Sequence, residues 1–129
     1  MIDALTLHPP VIAAEDGRIL STAVGRVADF WGLTNDQLGA VLGLSASTAS
    51  RLRGTTFQLA PGSKPFELGQ LVVRLFRSLD ALLGSDDMAA RGWLRTASLD
   101  LDARPINRIM SVRGLVEVCD LVDAYRGRA

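Results

Sequence analysis

The most regular alternation of apolar and polar positions in this chain lies at residues 68–83. Leu68, Leu71, Val72, Leu75, Phe76, Leu79, Leu82 and Leu83 recur at intervals of three and four, which lays a continuous apolar stripe on one helical face. Gly84 predicts the end of that helix, and Ser85 is positioned to cap a second one carrying Met88, Trp93 and Leu94. A polar connection over residues 98–105 leads to the last helical segments, with Val112, Leu115, Val116, Cys119 and Val122 expected to face inward and Gly127 to mark the stop. Upstream, the spacing of Ile19, Ala23, Val24, Val27 and Trp31 predicts a helix from Arg18 to a break at Gly32. Thr34 and Gln37 have capping-box spacing for a short helix. Gly43 then supplies a left-handed turn, and Ser45 caps a third helix over residues 46–53. Residues 1–17 show little periodicity and read as an extended arm, and residues 55–65, with Pro61, Gly62, Lys64 and Pro65, read as a linker. The expected fold is all-α: an arm at 1–17, a helix-turn-helix-like unit at 18–60 and a second helical unit at 61–129.

Nearly half of the 129 residues are apolar, enough for one domain, or two small helical units sharing a core, without disulfide staples. The single cysteine rules out a disulfide framework and fits a reducing, cytoplasmic setting. No apolar run is long enough to span a membrane, and the N-terminus lacks the pattern of a secretory signal. The net charge is zero, with five basic against six acidic residues before Leu71 and nine arginines against eight acids from there on. That balance withholds the basic excess from which many DNA-binding domains draw their non-specific affinity. Arginine supplies all the positive charge of the second part, which suits planar, bidentate contacts at interfaces.

Groups that could perform catalysis are scarce. The only histidine, His8, sits between apolar residues and two prolines in the expected arm, and Cys119 has the spacing of an inert core thiol. Asp86 and Asp87 fall in the first turn of a helix, where they complement its dipole. Asp100 and Asp102 lack the further oxygen ligands that a calcium loop needs. No phosphate-cradling loop, zinc-protease helix or nucleophile elbow is present. The chain is therefore expected to be no enzyme and to use no cofactor or metal. Trp93 fits either the core or an interface anchor.

The segment LTNDQLGAVLGLSASTASRLRG, residues 33–54, resembles the helix-turn-helix of Xre-type repressors. Gly39 is small where two helices approach, Gly43 makes the turn, and Leu38, Leu42, Leu44, Ala49 and Leu52 form the shared apolar face. The resemblance implies that Ser45, Ser47, Thr48, Ser50, Arg51 and Arg53 would lie nearest operator DNA. Ala46 and a face made mostly of hydroxyls depart from the usual polar or basic reading surface. Further on, Trp93-Leu94, Arg104-Pro105 and Gly114-Leu115, followed by Val118 and Leu121, resemble the C-terminal toxin-binding domain of the Xre/MbcA/ParS antitoxins.

Membership in that family implies an antitoxin that neutralises a RES-type toxin, an enzyme acting on NAD as hydrolase, phosphorylase or ADP-ribosyltransferase. Arg104, Pro105, Arg108 and Arg113 form either a partner-facing basic edge or a solvated face. Tyr125, Arg126 and Arg128 read as a cationic tail placed to obstruct the toxin's active site, or as a plain terminus. A homodimer or a larger hetero-oligomer with the toxin is expected, with operator DNA as a further partner. The competing reading is a stand-alone repressor whose C-terminal half dimerises.

Overall fold

The first helix begins where the sequence pattern suggests an arm. In the computed structural model, which describes the backbone of residues 9–128 and the side chains of residues 15–127, α1 spans Pro9–Trp31. Residues 9–17 are therefore helical rather than extended. Proline suits the start of a helix, where its fixed φ is preorganised and its missing N–H would have had no partner. His8 and the rest of residues 1–8 lie outside the described residues. Six further helices follow: α2 (Asn35–Leu42), α3 (Ala46–Arg53), α4 (Lys64–Leu82), α5 (Asp87–Arg95), α6 (Pro105–Arg108) and α7 (Val112–Arg128). Among the described residues there is no strand, only an isolated antiparallel bridge between Ser98 and Ala103.

Local chemistry closes the helices of the first half as their sequence predicts. Thr34 and Gln37 form the capping box, with Gln37 N–H donating to Thr34 Oγ1 at 3.0 Å and Thr34 N–H donating to Gln37 Oε1 at 2.9 Å. Gly43 takes the left-handed conformation at φ 73°. Ser45 caps α3 by accepting the Thr48 N–H at 3.1 Å. Gly39 has no room for a side chain: a Cβ there would sit 2.6 Å from the Leu44 carbonyl oxygen.

The segment between α3 and α4 is not a free linker. Leu59 is fully buried, and its N–H donates to Ser21 Oγ at 2.8 Å while that hydroxyl donates to the Gly17 carbonyl at 2.6 Å. Serine hydroxyls can serve as donor and acceptor at once, and here one buried hydroxyl ties the loop to α1. α4 then packs against both α1 and α7, meeting α1 at Gly69 and Phe76 and α7 at Leu71, Arg74 and Ser78. Val24 and Trp31 of α1 therefore share one hydrophobic cluster with Val72 and Leu75 of α4 and Val118 and Val122 of α7. The two units expected from sequence are built on a common helix and a common core.

Several inward assignments change. Ile19 (54 % exposed), Met88 (73 %), Val112 (61 %) and Val116 (39 %) face outward. On α7 the core face is instead Leu115, Val118, Cys119 and Val122, because the helix buries only the stripe that faces α4 and α6 and leaves its neighbouring apolar positions outside. Asp86, not Ser85, caps α5, accepting the Ala89 N–H at 3.0 Å, while Ser85 turns back to donate to Asp80. Gly127 does not end α7, which continues to Arg128. Gly114 lies where α7 crosses α6, and a Cβ there would collide with the Arg108 carbonyl oxygen.

Candidate nucleic-acid and partner interfaces

The C-terminal end of α1 is where the chain's two halves meet. Gly32, at φ 68°, ends the helix; its N–H donates to the Asp29 carbonyl at 3.1 Å and that of Leu33 to the Ala28 carbonyl at 2.9 Å, the paired bonds of a Schellman turn. Such a turn leaves the last carbonyls of the helix needing donors at the negative end of its dipole. Arg91 and Arg95, one turn apart on α5, supply them. Arg91 donates to the carbonyls of Asp29 (2.8 Å) and Phe30 (2.7 Å), and Arg95 to those of Trp31 (2.8 Å) and Gly32 (3.2 Å). From the other side Arg53 donates to the Leu33 carbonyl at 2.6 Å, to Asn35 Oδ1 at 2.7 Å and to Asp29 Oδ1 at 3.2 Å. The sequence carried one sign of this arrangement, the i, i+4 spacing of Arg91 and Arg95, but nothing in it names a carbonyl more than sixty residues away.

Arg53 is thereby turned inward, as a brace that fixes α3 against α1 and α2. The other residues considered for DNA contact share the outer side of α3. Ser45, Ser47, Ser50 and Arg51 are exposed and Thr48 half-buried. Arg51 donates to Ser47 Oγ at 3.3 Å and to Thr48 Oγ1 at 3.1 Å, so the only cation on this face lies along a line of hydroxyls.

In the second half the sequence-selected residues fall into separate groups. Pro105 is buried at the start of α6, and Arg104 before it is exposed. Arg108 is half-buried and donates to Glu117 Oε1 at 2.7 Å and to the Leu101 carbonyl at 2.8 Å, so it holds α6, α7 and the 98–103 turn together. Arg113 is exposed in the first turn of α7. The Tyr125 hydroxyl donates to the carboxylate of Asp100. Only the backbone of Arg128 is described, within α7.

Arg126 is drawn to a different place. With Arg74, Arg77, Ser78, Asp123 and Gly127 it lines an open groove of about 650 Å³ between α4 and α7. At its floor the buried Ser78 hydroxyl donates to Asp123 Oδ1 at 2.8 Å and accepts from Arg126 at 3.2 Å, while Arg74 pairs with the other oxygen of Asp123. The bonds from Arg74 and then Ser78 hold the Asp123 carboxyl below the ordinary aspartate range, and the bond to Asp123 raises the Arg74 guanidinium in turn. Arg74 and Arg77 were not singled out from the sequence, since on α4 they read as the polar side of an amphipathic helix. Cys119 lies behind the groove, its Sγ 3.6 Å from the Leu71 carbonyl, and burial, partly offset by Arg74, pushes its thiol up to about 11.

Residues 10–77 match the family described as the antitoxin Xre-like helix-turn-helix domain. Residues 78–128 match the antitoxin Xre/MbcA/ParS C-terminal toxin-binding domain. The chain belongs to this antitoxin family. No curated protein matches it significantly. The two matched regions meet within α4, the helix that the two halves share. A toxin is accordingly the partner of the antitoxin, a binding and regulatory protein rather than a member of an enzyme family. Among its described residues no helix is long and apolar enough to cross a membrane, and no cluster of acids, histidine or cysteine is placed to hold a metal ion.

Proposed function

We propose that this antitoxin neutralises a RES-type, NAD-consuming or ADP-ribosylating toxin by covering the entrance to its active site, and that it also represses its own operon. The observation that carries this reading is the toxin-binding domain match over residues 78–128, a region whose exposed cations are all arginines. Arg126 and Arg128 occupy the last turn of α7, so the cationic end is presented on a rigid helix rather than on a loose tail. A fixed helix end loses little conformational entropy on binding and suits occlusion of a pocket built for a phosphate-bearing dinucleotide. Arg104 and Arg113, exposed around α6, extend the contact. Pro105, Arg108 and Tyr125 act by holding this surface in shape.

For DNA, Ser45, Ser47, Thr48, Ser50 and Arg51 face the major groove, with Arg53 setting the angle of α3 from behind. With a single cation on that face, a monomer would bind weakly. Two copies on a symmetric operator would double the contacts.

The test is to purify the tagged antitoxin from its host at high salt and assay what co-elutes. One protein whose NAD-consuming activity falls to zero at a fixed molar ratio is the expected result. Recovery of no partner, together with tight salt-dependent binding to its own upstream DNA, would instead establish a stand-alone repressor whose C-terminal half dimerises. Charge reversal at Arg126 and Arg128 should weaken neutralisation with the fold intact, and full protection by that variant would sink the occlusion mechanism.

A further inference from the structure

The groove between α4 and α7 holds more positive charge than its internal contacts use. Asp123 is the only acid lining it, and that carboxylate is occupied by Arg74 and Ser78. Arg126 commits one nitrogen to Ser78. Arg77, exposed on the rim, has no hydrogen-bond or ion-pair partner among the described residues. Two guanidinium groups, one from each helix, therefore offer forked N–H donors to the same open space, an arrangement matched to a planar anion.

The surroundings select which anion. Arg77 also borders a second groove, of about 340 Å³, whose walls are Ile19, Leu20, Ala23, Phe66 and Val73, with Asp16 and Gln70 as its other polar members. A cationic cleft that shares Arg77 with a cleft walled mainly by apolar side chains fits an acidic side chain carried next to an apolar residue, which a free phosphate does not supply.

We propose that this double groove receives an acidic residue of the toxin, with Arg77 and Arg126 clasping its carboxylate and the cleft beside Ile19 taking the neighbouring apolar side chain. The inference rests on the antitoxin reading and extends the surface that Arg126 presents across α4 to Arg77 and the cleft beside Ile19. It also draws α4 and α1, elements of the helix-turn-helix match, into the toxin interface. Arg77 and Ile19 are then toxin-contacting residues although both lie within the region matched to the helix-turn-helix family.

The experiment uses the purified antitoxin and the toxin that co-purifies with it. Arg77→Glu should weaken the complex about tenfold or more and flatten its salt dependence, whereas Arg77→Lys, which keeps the charge and loses the fork, should fall between that variant and wild type. Because Arg77 is exposed and makes no internal bond, neither change should alter the thermal melt. The Arg77→Lys variant also permits a direct reading. A carbodiimide activates a carboxylate, the lysine amine displaces the urea, and the resulting amide marks the contacting Asp or Glu in a peptide digest. Lys64 is the only native lysine, so the background is small.

Linkage to one toxin acid, with loss of affinity on reversal, supports the proposal. Wild-type affinity in both Arg77→Glu and Arg126→Glu overturns it while leaving the antitoxin reading standing. Inorganic pyrophosphate that raises the melting temperature of wild type but not of Arg77→Glu, with toxin affinity unchanged, overturns it in favour of a phosphate site. A wild-type chain that retains no toxin removes the antitoxin reading and this inference together.

Discussion

The helix-turn-helix half and the toxin-binding half close their turns by contacts of different reach. Around α2 and α3 the bonds that close the turns join residues three apart, as in the Thr34–Gln37 box and the Ser45 cap, with Arg53 as the longer brace to Asp29, Leu33 and Asn35. In the second half they join distant elements: Arg91 and Arg95 to the end of α1, 61 to 64 residues away, and Arg74 to Asp123, 49 away. A three-residue cap forms with its helix and needs nothing else. A long-range arginine contact exists only after both helices have packed, so it forms later than a cap and is mutual, ordering the end of α1 as much as α5. Loop closure adds to this asymmetry, because the entropy of bringing two distant segments together must be met before their contact returns anything.

The strongest way to break the comparison is at two of the crowded glycines, one in each half. Gly114→Ala should cost about 3 kcal/mol, since the added Cβ meets a backbone carbonyl that cannot rotate away. Gly39→Ala, with its clash against the Leu44 carbonyl, should cost about 2 kcal/mol. Urea denaturation followed by helical circular dichroism measures both. Equal losses from Gly114→Ala and from an exposed glycine such as Gly92, where no atom lies near a Cβ, would contradict the crowding argument.

Next in size, removing Arg91 and Arg95 together should destabilise by about 2 kcal/mol, because four helix-terminal carbonyls lose charged donors but remain near enough to water to be partly resolvated. Hydrogen exchange should then show faster opening of α5 and the end of α1 than of α2 and α3. A uniform change across the chain would show that the two kinds of contact are not separable in this way.

Thr34→Ala should cost about 1 kcal/mol, the ordinary value of a lost N-cap, and should leave exchange in α7 unchanged.

The smallest expected effect concerns pH. Asp123 is held below the ordinary aspartate range, so its pairing contributes stability in full above about pH 4 and loses it as pH falls further. Asp123→Asn should lose that contribution at neutral pH and, with it, flatten this part of the acid branch of the stability curve. Cys119 has the opposite sign. Its raised pKa means that the unfolded thiol ionises first, so stability declines between about pH 9 and about pH 11, a window that Cys119→Ser should flatten.

Much of this molecule is legible along the chain where the cause is local. The capping box at Thr34, the left-handed Gly43, the Ser45 cap and the apolar stripe through Leu75 and Leu79 are each written within a few residues, and each is found as written. The turn at Gly32 is legible too, but not what would satisfy the carbonyls it leaves behind. Val112 and Val116 mislead because periodicity gives the direction of an apolar face and not its width, which is set by how many partners a helix has. Arg53 misleads in a different way: its place on a recognition-like helix suggests a phosphate contact, and only packing reveals that its donors point into the fold.

By itself the sequence determined an all-α chain and the order of its helices, because caps, turns and periodic stripes depend on neighbours a turn or two away, and the antitoxin family through the resemblance of its motifs. Tertiary structure alone decided that α4 is common to both halves, that three arginines converge on the end of α1, and that Arg74, Arg77 and Arg126 share one groove. Those outcomes depend on which helix faces lie opposite one another. Side chains far apart along the chain acquire a common function only once packing has chosen those faces.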